Sequence, residues 1–194
     1  MRRMFFAAAV AALLASTPAH AQQQPQWNTG SPADLAAADS ATWSFDASGG
    51  LRSNSTALLC PATLAGAPLS GARDMFGGEC LYDFGERGNI WVTSLLAPEA
   101  ESRAELGRVY EQASTLPNVR ITAPELSTLG ACDVELRRME NDRGFFLAAT
   151  DLYRADATLQ VRVTARSDAN RNALAPAAQE LVNAQTSCTA ATTP

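Results

Sequence analysis

Leu159-Gln160-Val161-Arg162-Val163-Thr164-Ala165-Arg166 alternates apolar and polar residues without a break. In a strand, successive side chains point to opposite faces, so Leu159, Val161, Val163 and Ala165 share one face and Gln160, Arg162, Thr164 and Arg166 the other. The stretch therefore reads as a strand of an antiparallel sheet, with its apolar face inward and its polar face toward solvent. Ala155-Asp156-Ala157 is a turn before it, Phe145 to Tyr153 a second strand, and Asn141-Asp142-Arg143-Gly144 another turn. Cys132, Val134 and Leu136 alternate with Asp133, Glu135 and Arg137 in a third strand. Three strands joined by short turns must run antiparallel, as a meander.

Further toward the N-terminus, Leu106, Val109, Tyr110, Ala113 and Leu116 fall at helical spacing. Pro98 opens this helix, Glu99 and Glu101 sit in its first turn where the helix dipole favours them, and Pro117 stops it. Before it, Glu79 to Phe84 and Asn89 to Leu96 read as a hairpin around Gly85-Glu86-Arg87-Gly88. Cys60-Pro61 to Gly77-Gly78 reads as an irregular loop, and residues 123–130 as loop with a turn of helix at Pro124 to Leu129. Trp43-Ser44-Phe45 and residues 51–59 read as extended, and Ser31-Pro32 as the start of one short helical turn. A helix from Asn170 to Ser187 closes the chain, with Pro176 as a kink or as its first turn. The fold class expected is α+β: an antiparallel sheet of about five strands covered by two helices, a two-layer sandwich.

The N-terminus has the three parts of an export signal: Arg2-Arg3, the apolar run Met4 to Ala15, and Ala19-His20-Ala21 at the cut. The run is shorter than the roughly 20 residues that span a bilayer. Arg2-Arg3-Met4-Phe5-Phe6 resembles a twin-arginine signal, and the general secretory route would deliver to the same side. The expected organisation is a cleaved signal peptide 1–21, a flexible tail 22–41, one domain 42–188 and a disordered tail 189–194. The expected address is periplasmic or secreted.

Fifteen basic and twenty acidic residues leave the chain at −5; Arg2 and Arg3 go with the signal, so the mature part stands at −7. Such an acidic surface gains nothing from nucleic acid and is repelled by anionic lipid. No nucleic-acid partner and no stable membrane insertion are expected. An even number of cysteines in an exported chain implies disulfides, and Cys60, Cys80, Cys132 and Cys188 allow three pairings. We favour Cys60–Cys80, which closes a loop of about 20 residues, and Cys132–Cys188. Leu174, Ala178, Leu181, Gln185 and Cys188 share a helical face that would meet Cys132 on the apolar phase of its strand.

The single histidine leaves with the signal and the chain contains no lysine. Serine or cysteine nucleophiles activated by histidine, Ser-Lys dyads, Schiff bases and histidine-ligated metals are thereby excluded. No C-x-x-C pair is present, so neither zinc nor thiol redox chemistry is expected. No catalytic residue, metal or cofactor is assigned. Carboxylate pairs remain as hydrolytic candidates, Asp83 with Glu86 and Asp133 with Glu135, the latter on one face about 7 Å apart; turn chemistry and an ordinary solvated strand face account for both. Arg137, Arg138, Arg162 and Arg166 could gather across adjacent strands. Arg137, Arg162 and Arg166 are thus the binding candidates, for an anionic ligand. The plainer reading pairs them with Asp133, Glu135 and Asp151 across the sheet.

Cys60-Pro61, Cys80-Leu81-Tyr82, Ile90-Trp91-Val92-Thr93 and Val161-Arg162-Val163-Thr164, followed by a helix ending in cysteine, resemble a group of uncharacterised short exported alphaproteobacterial proteins over roughly residues 42–188. The order of elements is also similar to the PsbP-like α+β sandwich, which implies a binding or assembly module rather than an enzyme. No functional residue carries over. The reading is an exported, disulfide-stabilised, non-catalytic module that binds an envelope protein or a small ligand. Its alternatives are a carboxylate-dependent hydrolase of glycan type and a structural or stress-related envelope protein without a ligand.

Overall fold

The structure is a computed structural model that describes residues 27–185 apart from 57, 76, 143, 155 and 156. The segments read as signal peptide and C-terminal tail, and Cys188, lie outside the described residues. Helix α1 (Pro32–Ala38) is followed by a small antiparallel sheet of β1 (Trp43–Phe45), β2 (Leu51–Ser53) and β3 (Leu59–Cys60). Four strands come next: β4 (Thr63–Leu64), β5 (Ala67–Arg73), β6 (Glu79–Asp83) and β7 (Gly88–Leu95). Helix α2 (Glu99–Ser114) leads to β8 (Val119–Ile121), β9 (Glu125–Leu129), β10 (Cys132–Asn141), β11 (Phe145–Tyr153) and β12 (Thr158–Ala165), and α3 (Asp168–Ala184) closes the chain.

The large sheet is wholly antiparallel, in the order β4-β5-β6-β7-β12-β11-β10-β8, with β9 pairing the other end of β10. It curls into a half-barrel. Two runs of sequence neighbours thus meet where β7 lies beside β12, with Val92 opposite Val161 and Trp91 opposite Arg162. The expected five-strand, two-layer α+β sandwich is therefore wrong: the protein is mostly β, with nine strands in the main sheet and three in a second.

The two long helices also lie on opposite faces. Leu174, Ala178 and Leu181 of α3 join Leu159, Val161 and Val163 of β12, Leu152, and the small sheet in the larger core. Each buried leucine there contributes roughly 2 kcal/mol of apolar transfer. Leu106, Tyr110 and Ala113 of α2 cover Leu147, Ala149 and Tyr153 on the other face. The polar side of β12 is consequently not outward, since Gln160 and Arg162 are each 6% exposed. Period-two alternation separates two faces, and α2 covers the one that reads as solvated.

The 61–77 segment read as loop holds β4 and β5, and Glu125–Leu129 is a strand rather than a helical turn. The described part of the expected tail 22–41, residues 27–41, is ordered. Asn28 bridges Ala72 by backbone hydrogen bonds of 2.9 Å in both directions. Ser31 and Asp34 form a reciprocal capping box on α1, and Leu35 is buried in the core. Gly88 opens β7 at φ +126°, where a Cβ would collide with the Thr164 carbonyl, so the β7–β12 contact requires glycine.

Helix α3 begins where Ser167 Oγ accepts from the Asn170 N–H at 3.1 Å. Ser167→Ala should lower stability by about 1 kcal/mol, read as a smaller urea midpoint at unchanged slope. Pro176 lies inside this helix, past its first turn. At the far end, the buried Gln185 amide accepts from the Leu59 N–H at 3.0 Å and donates to the Leu59 carbonyl at 2.9 Å, locking the helix end to β3.

The structure joins Cys60 to Cys80 in a disulfide, which ties β3 to β6. Cys132 is buried and is not a free thiol. The Cys132–Cys188 pairing involves a residue outside the described set.

Candidate functional site

Register across the sheet builds a continuous polar row on the face beneath α2. Arg73 lies opposite Glu79, Glu79 opposite Thr93, Thr93 opposite Gln160, and Gln160 opposite Asp151. Asp151 lies opposite Glu135, and Glu135 opposite Leu126 of β9. Residues in register share a face, so these side chains form one band across seven strands.

The middle of the band is sealed. Asp151 has no exposed surface. Its carboxylate accepts from the Tyr110 hydroxyl at 3.1 Å and from the Gln160 amide. Burial raises the Asp151 carboxyl to about 6, against the pull of the two hydrogen bonds. Burial likewise pushes the Tyr110 phenol well above its ordinary value.

At the β5–β7 end, Glu79 sits between two guanidiniums, Arg73 at 2.5 Å and Arg162 at 3.4 Å. Arg162 stacks 4.5 Å over Trp91 and Arg73 4.2 Å over Trp27, and the two indole rings lie 6.4 Å apart. Burial lowers the pKa of Arg162 and the Glu79 charge opposes that shift. At this end two adjacent indoles are flanked by the two guanidiniums, and Glu79 joins the guanidiniums to each other.

The band opens at the other end. Arg103 of α2 binds three carboxylates, Glu99 at 3.0 Å, Asp133 at 2.8 Å and Glu135, and stacks 3.9 Å over Tyr153. Beside it lies an open groove of about 340 Å³, lined by Arg103 of α2, Leu126, Ser127 and Thr128 of β9, and Asp133, Val134 and Glu135 of β10. Among the described residues β9 pairs with β10 alone, so its outer edge is free. Leu126 is 71% exposed at this edge, and the Asp133 and Glu125 side chains are 61% and 57% exposed.

The arginines singled out in the sequence separate. Arg137 and Arg162 both lie in register with Ala149, one on each side, about 10 Å apart. Arg137 pairs with Glu135 and stacks on Tyr110, whereas Arg162 takes Glu79. Arg166 is exposed past the end of β12 and is not brought to them. Asp133 and Glu135 do share a face, bound to the same Arg103. Asp83 is a turn acceptor for the Gly85 N–H at 2.8 Å, and Glu86 lies exposed in the 3-10 turn Gly85–Arg87. Glu79, Tyr110, Asp151 and Leu126 were not assigned to a site. Asp151 alone carried a signal, as the one charge in an otherwise uncharged strand, Phe145 to Tyr153.

Among the described residues no group of three metal-binding side chains forms, and no helix is long and apolar enough to cross a membrane. Fold and groove together define a disulfide-linked, mostly β protein in which, among the described residues, the outer edge of β9 is unpaired beside an open cleft. In comparison with known proteins, no family model and no curated sequence matches the chain.

Proposed function

We propose that the chain is an exported, non-catalytic binding module that takes an extended polypeptide segment along the outer edge of β9. One observation carries this reading: the outer edge of β9, unpaired among the described residues, runs beside the groove with Leu126 71% exposed. An unpaired edge offers backbone donors and acceptors to an incoming strand, and alternate side-chain contacts provide selectivity. The Cys60–Cys80 disulfide and the signal-like N-terminus support an oxidising, extracytoplasmic setting. Asp151, whose carboxyl burial raises to about 6, is sealed beneath Tyr110, which favours recognition over hydrolysis.

The test is selection from a display library of unstructured peptides on the immobilised mature protein. Enriched peptides should lose about tenfold or more in affinity for Leu126→Asp. A library that enriches nothing over a blank surface, or peptides indifferent to Leu126→Asp, would overturn the assignment.

A further inference from the structure

Resting on that reading, we infer that the segment taken up by β9 carries an apolar residue and, two positions away, a lysine or arginine directed at Asp133. A strand added to β9 extends the register rows already present. One row runs Asp151, Glu135, Leu126 and would end on the residue opposite Leu126. The neighbouring row runs Tyr153, Asp133, Thr128 and would end on the residue opposite Thr128. Leu126 and Thr128 lie two apart in β9, so their partners also lie two apart and face the same groove.

The two positions meet different chemistry. The first lies against the exposed Leu126 and is satisfied by an aliphatic or aromatic side chain. The second lies beside Thr128, which is small and exposed, with Asp133 one strand further in. The new strand stands two strand spacings from β10, about 10 Å. An extended lysine or arginine reaching in and an aspartate reaching out span that gap, whereas a short polar side chain does not.

Charge settles the sign. Glu99, Asp133 and Glu135 face Arg103, and Arg137 supplies the second cation through Glu135, so carboxylates outnumber guanidiniums at the groove. Asp133 is the most exposed of the three carboxylates, at 61% against 40% for Glu99 and 12% for Glu135. An acidic partner residue would meet all three. A second copy of this chain presents Glu-Leu-Ser-Thr-Leu along the same edge, without a cation, and adds no positive charge at Asp133 beyond that of Arg103.

The experiment uses the mature, oxidised protein and two fluorescein-labelled peptides. Both alternate threonine with valine, and they differ only in carrying lysine or glutamine two residues from the central valine. The lysine peptide should bind about tenfold tighter at low salt. That advantage should shrink to about threefold or less in Asp133→Asn. Raising the salt on the wild-type protein should erode it in the same way, which keeps the test open if the variant fails to fold. Equal binding of the two peptides would overturn the cation assignment while leaving the edge reading intact. Binding of neither would overturn both. A concentration-dependent dimer abolished by Leu126→Asp would show that the edge belongs to a second copy and overturn the inference.

Discussion

Between about pH 4 and pH 6 the protein should lose roughly 3 kcal/mol of stability, and Asp151→Asn should remove most of that loss. The folded carboxyl holds its proton up to about 6, against 3.8 as its ordinary value, chiefly because it is buried. In this window the folded chain binds more protons than the unfolded chain, so raising the pH favours unfolding. Above pH 6 both states are ionised and this contribution is flat. Asp46 acts in the opposite sense at lower pH. Hydrogen bonds from Ser48 hold it at about 2, so the stability it confers is complete above about pH 4 and is lost as the pH falls toward 2. Asparagine at 151 can still accept from Tyr110 or Gln160 while carrying no charge. Urea midpoints taken across pH 4–8 would show a falling limb for wild type and a nearly flat one for Asp151→Asn. Parallel curves would show that the carboxylate is not held in this buried network.

Removing the Cys60–Cys80 bridge by Cys60→Ala with Cys80→Ala should cost roughly 3 kcal/mol, the loop-closure entropy of a 20-residue separation. For a domain of this size that corresponds to a melting point about 10 °C lower. Both cysteines are fully buried, and the bridge is the covalent link between the small sheet and β6 of the large one. Calorimetry on the double-alanine variant isolates this bridge, because Cys132 keeps its own chemistry. A melting point lowered by less than about 2 °C would mean that the packing of Leu51, Leu58 and Trp43 alone holds the two sheets together.

How much was legible follows from which forces are local. The β10–β12 meander and α2 announced themselves because short turns, prolines and periodicity all act within a few residues. β5 stayed hidden because Ala67-Pro68-Leu69-Ser70-Gly71-Ala72-Arg73 is poor in strand formers. Its conformation comes from pairing with β6 and from Trp27 and Asn28 lying against Gly71, where a side chain would meet both at 3.2 Å. β9 was masked by Pro124, which suggested a helical start. Arg137 pairs with Glu135 two residues away on its own strand, whereas the sequence reading set these charges against one another across the sheet. The Glu79–Arg162 pairing was not readable, since β7 beside β12 joins distant segments. The polar phase of β12 gave no clue that α2 would cover it.

That junction also sets the order of assembly. Each run, β4 to β7 and β8 to β12, can zip through nearest neighbours, at small loop-closure cost. Joining β7 to β12 brings together Leu95 and Thr158, a longer loop closure than any step within either run. Until then Ile90 and Val92 on one side, and Val161 and Val163 on the other, border open backbone rims prone to mispairing. A nascent chain stalled before this closing step would be vulnerable to clumping and proteolysis, which makes closure of the β7–β12 seam the step that commits the chain to its folded state.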